Sequence, residues 1–190
     1  MSKYFLFLTM LTALAFSTPL HAENYDIDIE HAVVQFKIKH LGYSWLVGRF
    51  NKFDGNFSYD EKNPAASKIE VTIETASIDS NHAERDKHIR SKDFLNVSKF
   101  PTAKFVSRSF SENGNGKAQL VGDFTLHGVT KKITFEIEHV GHGSDPWGGY
   151  RRGFSGSTIL TLRDYGITTD LGPASREVEM FFSIEGVRKK

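Results

Sequence analysis

The stretch Ile133-Thr134-Phe135-Glu136-Ile137 alternates large apolar side chains with polar ones, and this pattern decides the fold class. A strand turns successive side chains to opposite faces, so the alternation predicts a strand with one apolar and one hydrated face. The same period of two recurs in Val34-Phe36-Ile38, Phe53-Phe57-Tyr59, Ile69-Val71-Ile73, Phe124-Leu126 and Phe154 through Leu160-Leu162. Many such strands in one chain favour a closed antiparallel sheet, whose interior is either filled by side chains or holds an apolar guest.

The composition supports a single globular domain without a nucleic-acid partner. The chain has 190 residues, with 16 Phe, no Cys, and 24 Lys and Arg against 23 Asp and Glu. This balance gives no basic surface excess of the kind that nucleic acids attract. Because no disulfide can form, the core alone must stabilise the domain, which is sufficient at this length.

The N-terminus has the pattern of an export signal. Lys3 precedes the apolar run from Phe5 to Phe16, and Ala22 ends a segment suited to cleavage. The run is too short for a stable transmembrane helix. We therefore expect a signal peptide at residues 1–22 and one soluble domain at residues 23–190, with an uncleaved membrane anchor as the alternative.

Turn-forming segments divide the remaining chain into roughly eight strands. One segment, residues 81–96, lacks the period of two and crowds charges together; Asn81 with Glu84 three residues later fits a helix start. The sequence therefore predicts an all-β fold, an extended eight-stranded antiparallel lipocalin-like barrel with a short helical insertion around residues 81–96. A two-sheet sandwich is the structural alternative.

The alternation also predicts which side chains face the interior and form an apolar pore. Glycines at the inward positions 55, 122 and 156 are expected to leave room beside the Phe rings. The candidate ligand-binding residues are Val34, Phe36, Ile38, Phe53, Phe57, Ile69, Val71, Ile73, Phe124, Leu126, Ile133, Phe135, Ile137, Phe154, Leu160, Leu162 and Phe182. The same residues are equally suited to packing against one another, so part of this set is expected to be core.

The charged run at residues 81–90 has two interpretations. Opposite charges three and four residues apart, such as Glu84 with His88, are typical of a solvated helix. Alternatively, four cationic or titratable side chains form a rim that binds an anionic headgroup at the barrel mouth. The candidate headgroup residues are Arg85, Lys87, His88 and Arg90.

Catalytic, metal and cofactor motifs are not indicated. His82 and His88 are six residues apart and would lie on different faces of a helix, whereas metal-binding pairs are usually three or four apart. His139 and His142 flank a glycine turn, which is permissive but unspecific. We predict no metal, no cofactor and no enzymatic activity.

Several stretches together resemble the YceI-like family of periplasmic, lipocalin-like polyisoprenoid-binding proteins. The matching residues are 40–45 (HLGYSW), 48–50 (GRF), 81–95, 100–105 (FPTAKF), 122–130 (GDFTLHGVT) and 170–175 (DLGPAS). The resemblance implies an eight-stranded barrel, located in the periplasm, whose pore accepts a long isoprenoid lipid such as a polyprenyl chain or a prenylated quinone. We therefore expect a carrier or store for such a lipid, whereas transient membrane contact and homodimerisation stay open.

Two rival functions remain. One is an enzyme acting on a lipid in the same pore, with His40 or His127 as base. The other is an interaction module that uses Tyr43, Trp45 and the turn at Trp147 to meet a membrane protein.

Overall fold

The computed structural model describes residues 22–190, so the predicted signal peptide lies outside the described residues except for its last residue. These residues form eleven strands and one α-helix, with four short 3₁₀ turns. The elements are β1 (Glu23–Ile27), β2 (Val33–His40), β3 (Ser44–Phe50), β4 (Phe53–Tyr59), β5 (Lys68–Glu74), β6 (Ile78–Asp79), α1 (Ala83–Arg90), β7 (Thr102–Gly114), β8 (Lys117–Leu126), β9 (Val129–Ser144), β10 (Tyr150–Thr161) and β11 (Glu177–Arg188). Within residues 22–190, no helix is long and apolar enough to cross a membrane.

Eight of the strands close into an antiparallel barrel. Their order is β1-β4-β5-β7-β8-β9-β10-β11, and β11 pairs back onto β1. The closing register places Tyr25 opposite Arg188 and Ile27 opposite Gly186. Since both edges of the sheet meet there, the predicted barrel is confirmed and the two-sheet sandwich is excluded.

The remaining strands extend one end of the barrel wall. Strand β11 pairs with β1 near its C-terminus and with β2 over Val178–Ser183, so β1 and β2 share one of its edges. Strand β3 pairs with β2 along its whole length and β6 pairs with β3 at only two positions. This extension lengthens the interior beyond the eight-stranded ring.

The helical insertion is confirmed, but its predicted N-cap is wrong. His82, rather than Asn81, caps α1, and its Nδ1 accepts a hydrogen bond from the Arg85 N–H at 3.3 Å. Asn81 instead adopts a left-handed backbone with φ of 62°. Buried Asp86 fixes the start of the helix because its carboxylate accepts the Ser80 N–H at 2.9 Å.

Glycines inside the barrel accommodate neighbouring aromatic rings rather than open space. A Cβ on Gly122 would lie 2.4 Å from Cζ of Phe105, and one on Gly156 would lie 2.9 Å from Cζ of Phe182. Both distances are far below van der Waals contact, so the rings fill these positions. The expectation that inward glycines leave room for a guest is therefore wrong at these two positions.

Candidate functional site

The largest cavity lies at the end of the barrel that carries α1, which we call the helix end. Its volume is about 290 Å³. The wall combines inward residues of several strands with side chains of the insertion, including Phe36 and Leu126 from strands and Ile89 from α1. An apolar space of this size suits a hydrocarbon guest better than ordered water, because it offers water few polar partners.

Two smaller cavities continue the largest one into the barrel. Their volumes are about 50 Å³ and 40 Å³. The largest cavity and the first small one share Phe124, Leu160 and Met180 in their walls, and the two small ones share Leu120 and Phe182. The three spaces therefore lie in series and share wall side chains.

The structure places the predicted pore residues on the interior face. All of them except Phe53 line at least one of the three cavities. Phe53 is buried but belongs to the core without lining a cavity. Ligand binding by these residues stays a prediction, whereas their inward orientation is a feature of the structure.

Sequence reasoning missed the contribution of the insertion to the largest cavity. Phe94 and Leu95 follow α1, are nearly buried and line the cavity together with Ile78 and Ile89. The signal was present as an adjacent apolar pair inside a charged segment. A period of two identifies inward residues only within strands, and this pair lies outside them.

Polar side chains reach the largest cavity mainly from α1. Of the four candidate headgroup residues, Arg85 and His88 line it, whereas Lys87 and Arg90 do not. Lys87 is directed to solvent beside Glu84, with 3.9 Å between Nζ and the carboxylate. Arg90 donates to the backbone carbonyls of residues 76 and 78, which ties the helix to the wall. The headgroup role stays a prediction for all four residues.

The two histidines considered as catalytic bases have different settings. His40 lines the mouth of the largest cavity and is exposed. His127 is used structurally, since its Nδ1 lies 3.0 Å from the Tyr165 carbonyl oxygen and its ring packs against Phe100 at 4.4 Å. Only His40 is therefore placed where it could meet a bound lipid.

The opposite end of the barrel, which we call the arginine end, is closed by a buried cation. Arg152 is only 2% exposed, and its guanidinium lies 4.3 Å from the Tyr59 ring centroid and forms an ion pair with Glu61. The Tyr25 hydroxyl donates to Glu23 at 2.5 Å, and burial together with this carboxylate raises the pKa of Tyr25 to about 12. This network forms a polar floor beneath an apolar pore.

A cluster with metal-ligand character lies on the outer surface near the arginine end. Asp28, His31 and Glu185 bring one ligand atom each within 4.8 Å of the others. The Arg151 Nη1 already lies 2.7 Å from Asp28 and 2.5 Å from Glu185. Because this guanidinium neutralises the carboxylates, a metal ion would have to displace it.

The exposed aromatic residues considered as an interaction surface lie at opposite ends. Val178 pairs with Ile38 near the turn that carries Tyr43, whereas Val187 pairs with Arg151 near Trp147. These pairs are nine positions apart along β11, or roughly 30 Å at strand spacing. Tyr43 and Trp147 therefore cannot form one contact surface.

Comparison with known proteins agrees with the closed barrel. The family model described as a YceI-like domain matches residues 25–186. A UPF0312 protein of Pseudomonas aeruginosa is 60% identical over 170 residues, which cover 88% of each chain. The solved YCEI protein of Campylobacter jejuni is 27% identical with a TM-score of 0.72, covering 80% of this chain and 91% of that one.

A more distant solved structure shares the fold. A polyisoprenoid binding domain from Saccharophagus degradans has a TM-score of 0.64 and 12% identity, covering 87% of this chain and 98% of that one. At such identity the likeness shows the fold alone. The family match across the barrel and the close relative together establish that the chain belongs to the YceI-like family.

Proposed function

We propose that the protein binds a long-chain isoprenoid lipid, either a polyprenyl chain or a prenylated quinone, and serves as its periplasmic carrier or store. The apolar cavity of about 290 Å³ that opens at the helix end carries this proposal. The polyisoprenoid binding domain from Saccharophagus degradans, which has the same fold, supports the choice of ligand class. The export signal expected at residues 1–22 supports the compartment.

The size of the cavity sets how much of a tail fits without rearrangement. Apolar cavities of about 150 Å³ admit benzene, so this one accommodates roughly twelve carbons, or about two isoprene units. At about 0.8 kcal/mol per buried methylene, this gives on the order of 10 kcal/mol before the cost of immobilising the ligand. A longer tail would extend into the two smaller cavities after Phe124 and Met180 move aside.

The polar end of the lipid would remain at the mouth, beside α1. Among the described residues that line the largest cavity, only His40, Arg85 and His88 have polar side chains. Arg85 is held in place by its Nε, which donates to the Ser80 hydroxyl at 2.7 Å. A hydroxyl, a quinone oxygen or a phosphate would find donors here, whereas the tail would meet only apolar side chains.

This lining also favours binding over catalysis. The apolar interior offers no polar group that could act on a bound tail, so chemistry at His40 would be confined to the headgroup, beside Arg85 and His88. Incubation with a prenyl phosphate is expected to give a complex without turnover. Product formation that His40→Ala abolishes while binding persists would instead support the enzyme.

Extraction of the purified protein with organic solvent, followed by mass spectrometry, tests the main proposal. We expect a co-purified isoprenoid, or stoichiometric uptake of added polyprenol observed by native mass spectrometry, which also reports oligomeric state. Absence of both would refute the proposal.

A matched pair of variants tests the headgroup end. His88→Gln is expected to weaken binding of a polyprenyl phosphate more than that of the corresponding polyprenol, because it replaces an imidazole at the mouth, which can donate to a phosphate, by an amide of different shape. Lys87→Gln, one residue away but directed to solvent, is the control and should change neither affinity. Equal effects of both variants would place the headgroup elsewhere.

A further inference from the structure

An exposed apolar face surrounds the turn between β2 and β3, which we call the turn face. It consists of Leu41, Tyr43, Trp45 and Leu171, with Lys37 and Lys39 beside them. Tyr43 is 88% exposed, and Leu41 and Trp45 are each more than half exposed. The turn packs against the segment that follows Leu171, since a Cβ on Gly42 would lie 3.7 Å from the Ala174 side chain.

The turn face adjoins the mouth of the largest cavity. Leu171, which belongs to the face, lines that cavity, and so does His40, which precedes Leu41 in the chain. On β3, Leu46 points into the cavity while Trp45 points outward, as the strand period requires. The opening to the apolar interior and the exposed aromatic residues therefore lie at one end of the molecule.

The backbone at this turn does not explain the choice of residues. Leu41 has a φ of 53°, a left-handed conformation that Asn or Gly adopts more readily than Leu. A leucine that is strained and also exposed contributes little to folding. Its position points to an apolar contact made outside the domain.

Charge at this end identifies the partner that fits best. The Nζ atoms of Lys37 and Lys39 lie 4.7 Å and 5.4 Å from the Trp45 ring centroid, so aromatic and cationic groups are interleaved. Lys37 also forms an ion pair with Glu179 at 2.7 Å, so Lys39 is the stronger attraction for an anionic headgroup on this face. The insertion beside the mouth, residues 81–96, adds four Lys and Arg against three Asp and Glu, and Lys99 follows it. Aromatic rings favour the interface of a bilayer, and lysines there attract anionic lipid headgroups.

We propose that the turn face docks the protein onto an anionic phospholipid bilayer and so presents the cavity mouth to the membrane. This inference builds on the proposed lipid-binding function, because docking brings the mouth to the phase in which isoprenoids dissolve. Docking itself requires no isoprenoid, however. It is therefore measured with vesicles that contain none.

The two tryptophans of the chain provide a matched experiment. Trp147→Phe leaves Trp45 as the reporter at the turn face, and Trp45→Phe leaves Trp147 as the reporter at the arginine end. With phosphatidylglycerol-containing vesicles, Trp45 fluorescence should shift to shorter wavelength and be quenched by brominated acyl chains. Trp147 should respond to neither. Equal responses from both residues, or none from Trp45, would overturn the proposal.

A substitution series tests the face by loss of binding. Leu41→Asn with Tyr43→Ser should lower partitioning into anionic vesicles by roughly tenfold or more, because it removes two apolar contacts while Asn suits the left-handed turn. The control is Val140→Asn, which changes an exposed apolar residue near the arginine end and should have no effect. Wild-type partitioning of the double variant would contradict the proposal.

The remaining outcomes separate the alternatives. Binding should weaken at 0.5 M salt and on phosphatidylcholine vesicles, and equal binding under all conditions would refute the anionic preference. Binding to native membranes, but not to vesicles or to protease-treated membranes, would show that the partner is a membrane protein and not the bilayer. Vesicle binding without polyprenol uptake would leave docking intact and refute the lipid-carrier function, and the reverse result would refute docking alone.

Discussion

Filling the largest cavity from its wall should oppose ligand binding while leaving the fold intact. Ala103 lies on β7, is 1% exposed and lines this cavity. Ala103→Leu adds three carbons that occupy space otherwise available to the tail. If the tail lies there, roughly three ligand carbons are displaced, at a cost of about 2.4 kcal/mol, or about fiftyfold in Kd.

A smaller substitution makes the test quantitative. Ala103→Val adds two carbons, so the expected loss is about 1.6 kcal/mol, or roughly fifteenfold in Kd. Filling a cavity also tends to stabilise the unliganded protein, by about 0.5 to 2 kcal/mol. Affinity and stability should therefore change in opposite directions across the series.

Titration of each variant with a fluorescent polyprenol analogue gives Kd, and urea denaturation gives the free energy of unfolding. Ala65→Leu is the control, because it makes the same change at an exposed position and should alter neither quantity. A normally folded Ala103→Leu protein with wild-type affinity would show that the tail does not occupy this cavity.

Two further predictions concern stability. Gly122→Ala places a Cβ against the Phe105 ring and should lower the free energy of unfolding by about 1 to 3 kcal/mol in urea, whereas Gly143→Ala, with no atom within 4 Å of its added Cβ, should leave it unchanged. Burial, reinforced by Arg152, lowers the pKa of His139, so the unfolded chain binds a proton first as pH falls through about 6.5. The free energy of unfolding should therefore decrease between pH 7.5 and 5.5, and His139→Gln should flatten this dependence; an unchanged slope would contradict the assignment.

The fold was largely predictable because the alternating residues have only one consistent arrangement. Ile133, Phe135 and Ile137 face the interior as expected, since a one-residue shift would expose all three. The number of strands was harder to predict from the sequence. The bends that divide the wall, such as the one at Asn51 between β3 and β4, depend on contacts with Ser77 that are distant in sequence.

The candidate site was predictable only in part. Phe94 and Leu95 lie in an aperiodic turn, where no periodic rule indicates which side chains face inward. The burial of Arg152 could not be predicted either, because its neighbour Arg151 has the same side chain and points outward. Whether an inward glycine borders a cavity or makes room for a Phe ring depends on the positions of those rings, which the sequence alone does not specify.

The pairing of β1 with β11 has a consequence for synthesis of the chain. Tyr25 meets Arg188, so the first and last strands of the domain complete the same ring. A nascent chain lacking its final residues would expose the unpaired edges of β1 and β10, which can template aggregation. Contacts this distant in sequence form slowly, and the ring cannot close before the last strand is present.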